Sequence, residues 1–229
     1  MKRALEQGQS LARKDLKGLV LEGFRGLRGA DLRGAKLQGA RLREVDLTEA
    51  VLQDADLQEA DLMAAVLKKA DLRRANLTGA RLQEAHLGNA RLEEAIVDRV
   101  DFAVAVLTGV RFSGARIRRS RLSQADLTQA RLDGVMLADS LMVGTLLRGA
   151  DLYRADLRGV DLRQANLSDA VLEQADLRGA DLRGACLRNV ELKRALLEDA
   201  DFRDADLENA NLRGVDLAGA RLPADFGRR

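Results

Sequence analysis

The chain has one histidine, His86, and one cysteine, Cys186, far apart in sequence. A serine or cysteine nucleophile needs a base within hydrogen-bond reach, held by a third group. A tight zinc site needs several histidine or cysteine ligands close together. Neither requirement is met. Carboxylates are abundant, but arginine often follows two residues later, as in Asp156 with Arg158 and Asp176 with Arg178. Such pairs read as ion pairs and not as general acids or bases. No glycine-rich loop leads into a helix to cradle a phosphate. We therefore assign no catalytic, cofactor-binding or metal-binding residue and expect no cofactor and no enzymatic activity.

Two other groups of residues could contact a partner. Between Phe102 and Ala125 there is no acid, while Arg111, Arg116, Arg118, Arg119 and Arg121 all occur. A local excess of arginine suits an anionic partner. The second group is apolar residues at otherwise polar places: Val66, Val106 and Leu146, with Val104 and Val143 beside them. A run of exposed apolar side chains marks an interface.

These residues need a scaffold, and the composition suggests a repeat. Apolar residues are 46% of the chain, yet aromatics are 3%, tryptophan is absent and there is one proline. The apolar residues are nearly all leucine, alanine and valine, the skew of an internal repeat. Stepping by five from Leu27 to Leu222 meets an apolar residue every time. Most are leucine; Val97, Phe102, Phe112, Ile117, Met142 and Phe202 are the exceptions. Two residues before this centre stands alanine or valine, with Ser120, Ser140 and Thr145 as small polar variants and Arg25 as an exception at the edge. The residue just before the centre is often Asp or Asn, and the second after it is often Gly.

An α-helix turns about 100° per residue, so leucines five apart would scatter around it. A flat strand alternates faces, so successive leucines would point oppositely. Within one repeat, however, the small residue and the centre share a face of a short extended segment. The remaining residues must turn the chain the same way each time, which winds it into a coil. Glycine suits such a corner, and Asp or Asn can hydrogen-bond nearby backbone there. The period does not by itself fix how many sides a coil has.

The pattern Ala-(Asp/Asn)-Leu-x-x, as in Ala30-Asp31-Leu32-Arg33-Gly34 and Ala75-Asn76-Leu77-Thr78-Gly79, resembles the pentapeptide-repeat family. The resemblance runs from about residue 25 to 222. It implies an all-β fold, a right-handed parallel quadrilateral β-helix of about ten coils with a short N-terminal cap. At about 4.8 Å per coil the rod would be on the order of 48 Å long. Cys186 would then lie five coils beyond His86, roughly 24 Å along the rod, too far to share a metal. The five arginines would fall on three adjacent sides as a basic band. Val66, Val106 and Leu146 would share one side, with Val104 and Val143 near its corner.

Leu11, Leu16 and Leu21 also step by five but one residue out of register with Leu27. That places a one-residue insertion around Phe24-Arg25-Gly26. The expected organisation is residues 1–24 as cap and first out-of-register coil, 25–222 as the repeat body and 223–229 as a short tail. Residues 1–8 could form a short helix ending at Gly8. The tail is too short for a substantial cap, and the family resemblance implies a homodimer through the C-terminal coil.

The formal net charge is +2. That balance argues against a general nucleic-acid binder and against a uniformly acidic decoy. The charge is polarised, with a basic start and an acidic run at Glu198, Asp199, Asp201, Asp204, Asp206 and Glu208 that faces only Arg203. Charges recur too often for any segment to span a bilayer, and no apolar signal segment follows Lys2 and Arg3. A lone cysteine fits a reducing, cytoplasmic setting. The function expected is a bacterial protein–protein interaction scaffold whose partner is a protein, with no direct nucleic-acid binding. Two family-based alternatives stand beside it: a DNA mimic that protects DNA gyrase, and an accessory protein of type VI secretion, which the opening from Gly8 to Leu16 resembles.

Overall fold

A computed structural model describes residues 10–227; the expected N-terminal helix over residues 1–8 lies outside them. From Asp31 onward the before-centre residues form parallel bridges with their counterparts one coil on: Asp31 with Val51, Asp71 with Arg91, Asp181 with Asp201. The partners are twenty residues apart, so four pentapeptides make one coil and the coil has four sides. The first side runs up the rod through Asp31, Arg91, Arg111 and Arg131; the second through Lys36, Ile96, Arg116, Met136 and Asp156. The third runs through Arg41, Asp101, Arg121, Leu141 and Asp161, and the fourth through Asp46, Val66, His86, Val106 and Cys186. At the start, Asp15 pairs with Lys36 and Val20 with Arg41, each twenty-one residues away. One extra residue therefore lies near Gly26, where an added Cβ would sit 2.6 Å from the Phe24 ring.

Most pentapeptides satisfy four backbone N–H groups by one scheme, and those with Asp or Asn before the centre a fifth, as the repeat around Leu32 shows. Val51 N–H, before its centre, donates to Ala30 O one coil below at 2.9 Å. Leu32 N–H donates up to Val51 O at 2.8 Å, and Gly34 N–H to Gln53 O at 2.8 Å. Ala35 N–H closes the turn on Leu32 O at 3.0 Å. The fifth donor, Arg33 N–H, meets Asp31 Oδ1 at 3.3 Å; Thr48 N–H meets Asp46 Oδ1 at 2.9 Å in the same way. This explains the Asp or Asn before the centre: its side chain takes the one donor that the ladder leaves over.

The second turn residue has positive φ in repeat after repeat, as required at the third position of a type II turn. Glycine takes it freely at Gly34, φ 60°, but Glu44 at φ 56° and Arg74 at φ 56° carry the strain of a left-handed residue. Bonds to the coils above and below hold that geometry in place. Inside, the central side chains from Leu27 to Phe202 and their small partners are almost wholly buried. Phe102 and Phe112, on opposite sides, meet edge to face across the interior with centroids 6.1 Å apart. Each buried leucine contributes roughly 1.5–3 kcal/mol against the ordering of the backbone. The last coil differs: Leu207, Leu212, Leu217 and Leu222 are only partly buried.

Candidate interaction surface

On most of the rod, arginine is tied down. In the Asp-Leu-Arg repeats the guanidinium clamps the preceding carboxylate with two bonds: Arg158 Nε and Nη2 lie 2.8 and 2.7 Å from the Asp156 oxygens. Arg163 with Asp161, Arg178 with Asp176, Arg183 with Asp181 and Arg203 with Asp201 repeat the geometry up the second and third sides. These charge-assisted forks hold the carboxylates below their usual range. Hydrogen bonds from Arg203 bring Asp201 to about 2, against partial desolvation. For Asp71 burial pushes upward, and bonds from Arg73 and Gln53 outweigh it, again giving about 2.

The central arginines are held loosely or not at all. Arg116 occupies the before-centre place that Asp156 and Asp176 hold higher on the second side, so Arg118 has a cation where its carboxylate would be. Arg116 has no side-chain partner among the described residues, and Arg118 Nη2 rests 3.5 Å from Met136 Sδ. Arg119 is 3.9 Å from Asp98, Arg121 3.7 Å from Asp101 and Arg111 3.8 Å from Glu93. The band covers three sides: Arg111 on the first, Arg116 on the second, Arg121 on the third, with Arg118 and Arg119 at the corner between the last two.

That corner also has unusual backbone. From Leu27 to Ala220 every turn closes with its own backbone bond except those at 97–100 and 117–120. There, buried hydroxyls substitute. Ser120 Oγ accepts from Val100 N–H at 3.1 Å and donates to Val97 O at 2.7 Å. One coil up, Ser140 Oγ accepts from Ser120 N–H at 3.3 Å and donates to Ile117 O at 2.8 Å. Arg99 and Arg119 sit on the two opened turns.

The apolar group is rearranged by the fold. Val66, Val106 and Leu146 do share the fourth side, but His86 lies between the first two and Asp126 between the last two. They do not form a continuous strip. Val104 and Val143 lie at the corner between the third and fourth sides, and Val104 is 52% exposed. Sequence reading missed the residues that flank the arginines. Ile96 and Met136 are the rungs either side of Arg116, and Leu141 is the rung above Arg121. Ile96 is 40% exposed and Leu141 46%. Their signal was an apolar residue exactly one coil from an arginine, visible only once the coil length is known.

The acidic end is also corrected by the fold. Arginines one coil away reach it: Arg188 pairs with Asp206 and Glu208, and Arg183 and Arg221 lie near Asp201. A groove of about 690 Å³ runs between the tail 223–227 and the last rung of the fourth side, lined by Leu207, Glu208, Pro223 and Phe226 among others. Among the described residues no group of three or more His, Cys, Asp or Glu could hold a metal ion, and no helix is long and apolar enough to cross a membrane.

The model of the family "Pentapeptide repeats" matches in 8 copies, over residues 27–62, 55–93, 85–124, 125–164, 155–194 and 191–223. The chain belongs to the pentapeptide-repeat family. It is a right-handed quadrilateral β-helix. Among solved structures it is similar to HetL, a pentapeptide repeat protein involved in heterocyst differentiation regulation in the cyanobacterium Nostoc sp. strain PCC 7120. That likeness has 32% identity and a TM-score of 0.44, over 97% of this chain and 95% of HetL. It is also similar to QnrB1, a plasmid-mediated fluoroquinolone resistance protein, at 17% identity and TM-score 0.40, over 91% of this chain and 93% of QnrB1. A pentapeptide repeat protein of the Arabidopsis thaliana thylakoid lumen shares 35% identity over 45% of this chain and 68% of its own, with TM-score 0.29. Comparison with curated proteins finds no match.

Proposed function

We propose that this pentapeptide-repeat protein is a non-enzymatic scaffold that binds a protein partner through its outer surface. The observation that carries the reading is the arginine band, where the Asp–Arg clamps used elsewhere give way to cations with loose partners or none. A surface whose charges are already paired has little to offer an ion-pairing partner; this stretch has its charges in hand. The band is supported on bonded coils, so it is presented with little ordering cost.

The gyrase-protecting reading needs a long row of free carboxylates. The clamps on Asp156, Asp161, Asp176, Asp181 and Asp201 weigh against it, as does the +2 charge. A supercoiling assay with gyrase and a fluoroquinolone separates the two; protection at micromolar protein would favour the mimic. Nothing in the geometry favours the secretion reading, which gene neighbourhood would address. A homodimer through the C-terminal coil is supported by the open edge there. Leu207, Leu212, Leu217 and Leu222 donate no backbone bond upward, and their side chains are partly exposed. We propose a reducing, cytoplasmic setting because the single thiol has no disulfide partner in the chain. The residue ranges 1–24, 25–222 and 223–229 stand as the proposed organisation. The scaffold reading is tested by affinity capture from the native cell. A saturable protein partner released by salt is expected, and its absence across detergent and salt conditions would contradict the reading.

A further inference from the structure

We infer that the adjoining second and third sides of the rod at its middle coils, with the corners that bound the third, form a docking site for an acidic protein segment that carries apolar side chains among its carboxylates. This rests on the scaffold reading and names its contact surface. Four observations of different kinds meet there. The first is charge: Arg116, Arg118 and Arg119 crowd one corner with no carboxylate nearer than the 3.9 Å contact of Arg119 to Asp98. The second is apolar exposure: Ile96 and Leu141 stand one rung from Arg116 and Arg121, both more than a third exposed. The third is strain. Val104, at the far corner, has φ 61° and is the one β-branched residue among the non-glycine residues with positive φ. A β-branched side chain in that region is costly, and here it points a methyl pair into water. The fourth is the pair of opened turns under Arg99 and Arg119, held by Ser120 and Ser140 where the small core residue is elsewhere alanine or valine, Thr145 apart.

A repeat protein can place alanine or valine in the core, glycine or an unbranched residue at the corner and an Asp–Arg clamp on the face. Here the chain departs from all three rules within adjoining coils, and such clustered departures point to a site. Exposed arginine beside large apolar side chains is the composition of an interface centre. The chemistry that fits is a carboxylate for each arginine and an aliphatic group for Leu141, Ile96 and Val104. A nucleic acid would match the arginines but leave the aliphatic rungs facing phosphates, and the third side's aromatic centres, Phe102 and Phe202, are buried where no base could stack on them.

The test uses three labelled probes in fluorescence anisotropy near physiological salt: a peptide with two glutamates for each leucine, its glutamate–serine counterpart, and a short DNA duplex. The full chain is compared with Arg116→Glu/Arg118→Glu and with Leu141→Ser, each first shown by thermal melting to be folded. The wild type should bind the glutamate–leucine peptide most tightly, about tenfold more tightly than the arginine variant and several-fold more tightly than Leu141→Ser. Equal affinity across the three proteins, or tightest binding of the duplex, overturns the inference. Should the double variant unfold, Arg118→Gln with a salt titration replaces it, and unchanged affinity there is equally decisive against the site. Wild type and double variant are also used as bait in native extract. A partner kept by both overturns the site and leaves the scaffold reading standing; a partner kept only by the wild type supports both. No saturable partner for either defeats the scaffold reading and this inference with it.

Discussion

At the scale of the residue, the repeat makes a small number of physical demands, and the departures are informative. Val104 takes a left-handed turn position that most repeats give to glycine or an unbranched polar residue. Replacing it with glycine removes that conflict, so Val104→Gly should raise stability by about 1 kcal/mol in urea denaturation. A loss of stability would mean that the valine packs in a way its exposure does not suggest. The clamped aspartates make a second expectation. Their folded pKa lies below the ordinary carboxylate value of about 4, so the folded rod binds protons more weakly than the unfolded chain. The clamps therefore contribute fully above about pH 5. Their contribution falls away as the pH drops towards the value of about 2 at Asp71 and Asp201. The melting temperature should hold from neutrality to about pH 5 and fall steeply below about pH 4, with a shallower fall in Asp201→Asn.

At the scale of the element, the pentapeptide was legible because its constraints are local. Centre, small residue, Asp or Asn and corner all lie within five residues, and each follows from where one side chain or one N–H must go. The displacement near Gly26 was legible for the same reason: leucines at 11, 16 and 21 fall out of step with Leu27. The close packing around it was not, because it needed the Phe24 ring lying over the glycine. Gly26→Ala would put a Cβ 2.6 Å from that ring. It should loosen the first coil while leaving the rest folded, since coils in a solenoid depend mainly on their neighbours. Hydrogen exchange would show faster exchange at Leu16 and Leu21 with Leu127 and Leu132 unchanged. Uniform loss of protection would contradict that local account. The hydroxyls of Ser120 and Ser140 were visible in sequence as exceptions. Their task was not, since the groups they satisfy lie on a turn twenty-three residues earlier, Val97 O for Ser120 and Ile117 O for Ser140.

At the scale of the molecule, the surface was the least legible part. Its neighbours are twenty residues apart, and the period of five does not say how many sides close a coil. Arg121 and Leu141 become adjacent only when that number is four, and so do Arg188 and Asp206. The first juxtaposition joins the arginine and apolar groups, which sequence could only treat separately. The second neutralises part of an end that sequence reads as acidic. The same arithmetic broke the fourth-side valines into isolated rungs. The molecule that results is a bonded rod with many of its charges paired internally and a loosely paired, partly apolar stretch across its middle coils.

The most direct test of that picture is site-resolved photo-crosslinking in extract of the native cell. A benzophenone side chain is placed at Leu141, on the third side, and in a second protein at Tyr153, at the corner between the first and second sides. Scaffold binding through the third side predicts one discrete protein adduct from position 141 and none from position 153. An adduct from Tyr153 alone, or equal adducts from both, would contradict it.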